Sequence, residues 1–326
     1  MLVDFDQGHN PSPLWALRMK FMEALTRVAV LVLAAGFAAG CQSGRAPPDL
    51  PPAVAAVPAI TPTFRSVDPA TFAAPGGQPN PWADFDGDGD LDLFVGLAKG
   101  GNRLYRNDAG RFTDVAARLG VADTFDTRAA AWADFDLDGR PDLYVGFAPP
   151  AQVPNKLYHN LGDRFEDVAA PLGITRTGTI RQPVFVDYDG DGDLDLFLAF
   201  RDRPNALYRN DGGKFTDIAA SIGLADPRKT IGAIWFDFDQ DGDLDLVNAN
   251  QEGDANALFR NDGGRFVDIA PALGIDQAGR QRDQGGIGPV AVDFDNDGDF
   301  ELFIASYGPP TCSIDMRQGG SPTSPA

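Results

Sequence analysis

Aspartates at alternate positions, followed by a glycine and then a further acid, recur five times along the chain. The sets are Asp84, Asp86, Asp88 and Asp92; Asp134, Asp136, Asp138 and Asp142; Asp187, Asp189, Asp191 and Asp195; Asp237, Asp239, Asp241 and Asp245; and Asp293, Asp295, Asp297 and Glu301. Carboxylates at positions 1, 3 and 5 of such a loop can converge on one ion. The glycine at position 6 permits the sharp turn, and the acid at position 9 closes the cage. The seventh residue (Asp90, Arg140, Asp193, Asp243 or Asp299) offers its backbone carbonyl. Hard oxygens in flexible geometry suit calcium better than magnesium, so Ca2+ at up to five sites is the expected cofactor. Arg140 brings a cation where the other loops bring a carboxylate, which weakens affinity in the second loop.

These are not helix–loop–helix calcium sites. Those need a bidentate Glu at position twelve, where this chain has Val95, Val145, Leu198, Asn248 and Ile304. Without metal, carboxylates about 5 Å apart repel by roughly 3 kcal/mol per pair at an effective dielectric near 20. The loops are therefore expected to depend on the ion for their order.

The elements that hold the loops follow from the spacing. The starts lie 134 − 84 = 50, 187 − 134 = 53, 237 − 187 = 50 and 293 − 237 = 56 residues apart. Each unit reads as a short apolar run such as Ala131–Ala133, the acidic loop, and a second apolar run such as Leu194–Leu198. A segment of the form Asn-x-Leu-Tyr-Arg-Asn follows, then a turn such as Asp211-Gly212-Gly213, and a closing Phe-x-Asp-Val or Phe-x-Asp-Ile. Four short strands per unit, with Gly-rich hairpin chemistry before the fourth, predict an all-β propeller of four-stranded blades. The chain holds four full blades and part of a fifth. Trp82, Trp132, Phe185 and Trp235 recur two residues before the first four loops and are expected in the core between blades. Phe64–Val67 matches the end of a fourth strand, which predicts an N-terminal strand completing the last blade.

The loops, with the Asn-x-Leu-Tyr-Arg-Asn and Phe-x-Asp-Val-Ala segments, resemble the FG-GAP/VCBS repeat family, and most of all its cartilage-acidic-protein-like bacterial members. The resemblance covers about residues 64–308. It implies a calcium-loaded propeller like the integrin α head, usually seven-bladed, in proteins of adhesion and extracellular binding, some of them parts of enzymes. This chain is short of seven blades, and after Tyr307 the expected third-strand motif gives way to Pro309-Pro310-Thr311-Cys312. Shifting the reading frame back by one base permits Pro-Asn-Leu-Leu-Tyr-Arg-His-Glu-Ala-Gly, close to the missing strand. Residues 309–326 are thus expected to be a disordered, frameshifted tail and the propeller to be truncated.

Formal net charge is −20. The loops hold 5 × 4 = 20 acids, and Asp90, Asp193, Asp243 and Asp299 bring the total to 24 of 47, so the acidity reads as ligand supply. An anionic surface disfavours nucleic acid and acidic lipid. Two cysteines exclude a disulfide framework. The apolar run of residues 28–37, flanked by Lys20 and Arg27, reads as the core of a signal peptide spanning residues 1–40. Asp4 and Asp6 sit badly in its positive region, and Met19-Lys20 makes a better start, so residues 1–18 read as a mis-assigned extension. Ala38-Ala39-Gly40-Cys41 reads as a lipobox with Cys41 as the lipidated N-terminus, followed by a Pro/Ala-rich tether over 41–62. The expected product is an exported lipoprotein on the cell envelope, held to the membrane through Cys41.

No Ser-His-Asp order, zinc spacing or phosphate loop is present, and His159 reads as a surface substitution where other repeats carry Arg106, Arg209 and Arg260. The expected role is a non-catalytic module binding an extracellular protein or glycan. The alternatives are a part of a polysaccharide-acting enzyme, for which the segments 201–203 and 281–286 are the places to look, or a non-functional product.

Overall fold

A computed structural model describes residues 71–308 apart from 73, 149–152, 295 and 297, together with the backbone of 312–314. The expected signal peptide, Cys41, the tether, Phe64–Val67 and the rest of the tail lie outside the described residues, as do Asp295 and Asp297.

Among the described residues, the strands form five antiparallel sheets, each wound up and down in chain order. Sheet one is β1 (Trp82–Ala83), β2 (Asp92–Val95), β3 (Arg103–Asp108) and β4 (Arg111–Asp114). Sheet two is β5 (Thr127–Ala133), β6 (Asp142–Phe147), β7 (Lys156–Asn160) and β8 (Phe165–Asp167). Sheet three is β9 (Ile180–Val186), β10 (Asp195–Phe200), β11 (Ala206–Asn210) and β12 (Phe215–Asp217). Sheet four is β13 (Thr230–Phe236), β14 (Asp245–Asn250), β15 (Ala257–Asn261) and β16 (Phe266–Asp268). Sheet five is β17 (Gly285–Val292), β18 (Glu301–Tyr307) and β19 (Cys312–Ile314). The last strand pairs with β18 through Ile304↔Cys312.

The second strands of sheets two, three and four have sheets on both sides and are buried at every position, which is why β6 and β10 read as apolar runs after their opening Asp. The third-to-fourth hairpins turn on paired positive-φ residues: Gly212 and Gly213 sit at 61° and 87°, and Gly263 and Gly264 at the same angles. That is the type I′ geometry whose twist matches the flanking strands. One-turn helices follow three of the fourth strands: α1 (Ala116–Leu119), α2 (Ala219–Ile222) and α3 (Ala270–Leu273), each ended by a left-handed glycine.

Each core lies between consecutive sheets. Phe94 and Leu104 of sheet one meet Leu143 and Val145 of sheet two. Tyr144 and Leu157 meet Leu196 and Phe200. Phe197 and Leu207 meet Leu246 and Phe259, and Val247 and Leu258 meet Leu302 and Ile304. First strands pack in a row, β5 on β9, β9 on β13 and β13 on β17. The arrangement is an open, incomplete β-propeller rather than a closed ring. Trp132, Phe185 and Trp235 pack against these cores as expected. Trp82 does not: it is 50% exposed, because no described sheet precedes sheet one to cover it.

Candidate metal centres

Every acidic loop joins the end of a first strand to the start of a second. The antiparallel pairing of those strands folds position 9 back beside positions 1 and 3. In loops one to four, one oxygen from each of these acids lies within 4.8 Å of the others: Asp84, Asp86 and Asp92; Asp134, Asp136 and Asp142; Asp187, Asp189 and Asp195; Asp237, Asp239 and Asp245. In loops one, three and four the fifth-position acids Asp88, Asp191 and Asp241 do not join these sets at that distance. Each accepts from the N–H two residues on, at 2.9 Å. The seventh-position side chains point elsewhere: Asp90 and Asp193 accept from the hairpin N–H groups of Ala109 and Gly212, both at 2.7 Å.

The ninth-position acid is fully buried in each of these four loops. Asp195 takes the N–H of Tyr188 on one oxygen (3.2 Å) and that of Asn210 on the other (2.8 Å). Asp92, Asp142 and Asp245 repeat the pattern with Phe85 and Asn107, Phe135 and Asn160, and Phe238 and Asn261. Burial dominates their protonation. It pushes Asp92 and Asp245 up to about 6 and Asp142 and Asp195 up to about 7, with the N–H bonds opposing and neighbouring carboxylates adding to the rise. Asp86, Asp189 and Asp239 are raised as well, by burial first and then by the fifth-position charge beside them.

Position 1 braces the loop backbone. Asp84 accepts from Gly87 (2.8 Å), Asp88 (3.1 Å) and Gly89 (2.8 Å). In loop five, Asp293 accepts from Gly298 (3.1 Å) and the buried Glu301 from Phe294 (2.9 Å).

The donor set fits a hard divalent cation. In loops one, three and four it is all oxygen, its members are close enough to share one ion, and burial and like charge both raise its carboxyls. Asp187 Oδ1 and Asp239 Oδ1 are buried with no hydrogen-bond partner, acceptors that a cation would satisfy.

The last asparagine of the third strand couples loop to hairpin in sheets one to four, and in sheets two and three it also couples sheet to sheet. Asn160 Nδ2 donates to the carbonyl of Pro141 in its own loop (3.1 Å) and to that of Phe85 in the preceding one (2.8 Å); Asn210 does the same with Leu194 and Phe135. Asn160 Oδ1 accepts from Gly162 and Asn210 Oδ1 from Gly213.

The repeats are also recognisable beyond this chain. Residues 84–145, 148–198, 187–248 and 237–304 match the family description FG-GAP-like repeat. The chain belongs to the FG-GAP-like repeat family. Among solved structures it is similar to the V. cholerae biofilm matrix protein Bap1, at 15% identity and TM-score 0.42, covering 70% of this chain and 35% of that one. It spans about a third of Bap1, therefore. It is also similar to BBS1N in complex with ARL6DN, at 13% identity and TM-score 0.44, covering 73% of this chain and 70% of that one. No curated protein matches.

Within this FG-GAP-like array the second repeat stands apart. Its seventh residue, Arg140, was expected to give only its carbonyl. Its guanidinium instead pairs with Asp138 and donates to the carbonyl of Asn160 at 2.8 Å. His159, expected at the surface, is partly buried with Nε2 3.0 Å from Asp136 Oδ2 and 3.6 Å from Asp138 Oδ2. In the other repeats Arg106, Arg209 and Arg260 pair with the hairpin acids Asp108, Asp211 and Asp262. Repeat two has Leu161 at the place of that acid, so its strand-borne base turns to the loop. The absent hairpin acid was the signal available in the sequence.

Proposed function

We propose that the chain is an exported, membrane-tethered binding module, braced by calcium, whose partner is a protein or a glycan. The convergence, in loops one to four, of two acids on a fully buried ninth-position carboxylate carries this reading. A carboxylate held out of water and pushed toward its neutral form calls for a fixed cation, and a repeat array of small sheets needs its loops rigid to present a face. Loops one, three, four and five take the ion. Loop two, with Arg140 and His159 already beside its acids, takes it more weakly. The cages occupy the paired carboxylates that an acid–base enzyme would use, so the module binds without cleaving.

Export and lipidation at Cys41 follow from the sequence. The attachment proposed is a tether through Cys41; among the described residues no helix is long and apolar enough to cross a membrane. Full-length protein with Cys41→Ser should leave the membrane fraction, and its retention there would sink the lipid anchor. For the module itself, the test is a screen of glycans and envelope proteins in calcium and in chelator, followed by a reducing-end assay on any glycan bound. Calcium-dependent binding without cleavage is expected; cleavage, or no calcium-dependent binding anywhere in the screen, contradicts the reading.

A further inference from the structure

The rim of the array opposite the acidic loops carries a different chemistry. Each first strand starts at that rim and ends at its loop. Near the start, the register against the second strand slips by one residue. Thr127 faces Phe147 and Ala129 faces Gly146; Ile180 faces Phe200 and Gln182 faces Ala199. The same slip occurs between Thr230 and Gly232 and between Gly286 and Gly288. The extra residues are Arg128, Arg181, Ile231 and Ile287. All sit six places before a loop: 134 − 128 = 6, 187 − 181 = 6, 237 − 231 = 6 and 293 − 287 = 6. Gln78 holds that place ahead of sheet one, 84 − 78 = 6, between Gly77, bridged to Leu97, and Pro79, whose carbonyl accepts from Gly96.

A bulge leaves its extra residue out of the ladder and re-aims its side chain. Here two adjacent bulges bring arginines to one open groove of about 500 Å3, lined among others by Gln78, Pro79, Arg128, Arg181, Gln182 and Pro183. Arg128 is committed, to Asp126 at 2.9 Å and to Gln78 Oε1 at 3.1 Å. Gln182 is committed to the backbone of Ala233 through both its amide atoms. Arg181 is different. It has no ion-pair partner among the described residues, and its buried Nε has no acceptor. Burial, then Arg201, then Arg128 pull it below the ordinary arginine range, and Asp126 alone opposes them. Arg201 is itself paired with Glu252. In a chain of formal charge −20, a half-buried guanidinium beside two others and short of an acceptor lacks one thing, an anion.

We propose that Arg181, with Arg128 and Gln78 beside it, forms an oxyanion site that takes the carboxylate of an acidic sugar unit in a polysaccharide. The guanidinium fork matches a carboxylate in two parallel hydrogen bonds. The groove's size suits a ligand of one or a few rings. Its lining of prolines, alanines, amides and guanidiniums offers no deep apolar hole for a peptide's side-chain anchor. The site rests on the reading of the array as a binding module and places its ligand away from the calcium loops.

The test is calorimetric titration of the full chain, in calcium and at low salt, with a galacturonate oligomer. A neutral galactose oligomer and a glutamate oligomer serve as comparison arms. Wild type should bind the galacturonate and not the neutral chain. R181A should lower that affinity by about tenfold or more, the loss of a charged hydrogen-bonded contact. R181K should lose part of it, and R118A, an exposed arginine elsewhere, none. The melting temperature in calcium should be unchanged in all three. Equal binding by R181A, binding of the glutamate oligomer alone, or no galacturonate binding overturns the site. Galacturonate bound equally by R181A leaves the binding-module reading standing; the absence of any calcium-dependent ligand in the wider screen defeats that reading instead.

Discussion

Asp195 concentrates the conflict that each loop has to resolve. Its oxygens are engaged by two backbone N–H groups, which favour the charged form, while full burial favours the neutral one, and burial wins. A divalent ion reverses the outcome. Asp195→Asn keeps one acceptor but aims an NH2 at a backbone N–H, leaving a buried donor unmatched. The expected result is a loss of about 1–3 kcal/mol in denaturant unfolding and one fewer calcium per chain; wild-type stability and stoichiometry would contradict it. The second loop supplies the converse. Arg140→Asp restores the carboxylate that the other loops carry and removes a competing cation. Equilibrium dialysis should then show tighter calcium binding at this loop, and an unchanged isotherm would show that Arg140 does not compete. The acids of these sites were legible because their spacing alone carries the geometry. The role of His159 was not, because it depends on a neighbour missing two residues later, at Leu161.

At the scale of the element, the four strands per unit and their Gly-Gly hairpins follow from local chemistry, and the pairing matches them. Three features do not follow from it. The one-turn helices are too short to show a helical period. The bulges are a matter of register, visible only when the units are aligned on their loops. The exposure of Trp82 depends on whether another sheet lies beyond it, which no local pattern reports. Close approach between sheets is likewise a tertiary constraint, and Gly146 tests it. A Cβ there would lie 2.0 Å from Ile180 Cγ2 of the next sheet, both residues standing where β6 faces β9. Gly146→Ala should cost about 1–3 kcal/mol by forcing the sheets apart, whereas Gly213→Ala, with nothing within 4 Å, acts only through its positive φ. A Gly146→Ala variant as stable as wild type by urea titration would mean that the inter-sheet spacing is softer than the packing implies.

For the molecule as a whole, stability is a chain of sheet-on-sheet contacts, each beside a charged loop. The raised carboxyls give it a pH signature. A group whose folded pKa lies above its unfolded value binds more protons when folded, so its contribution to stability falls as pH rises. With Asp92 and Asp245 near 6 and Asp142 and Asp195 near 7, metal-free protein should lose stability steadily from about pH 4, the ordinary aspartate value, to about pH 7 and level off above. Calcium should flatten that slope, since it replaces the protons. Urea midpoints at pH 5 and 8 in chelator decide the sign, and a midpoint higher at pH 8 would contradict it. On this reading the loops are calcium sites that brace the array. Calorimetric titration of chelator-stripped protein with Ca2+ tests it most directly. Heat should saturate at about four ions per chain, with a melting temperature that climbs in step, each site adding roughly 1.4–2.7 kcal/mol at ten to a hundred times its Kd. No heat and an unmoved melt would contradict the account.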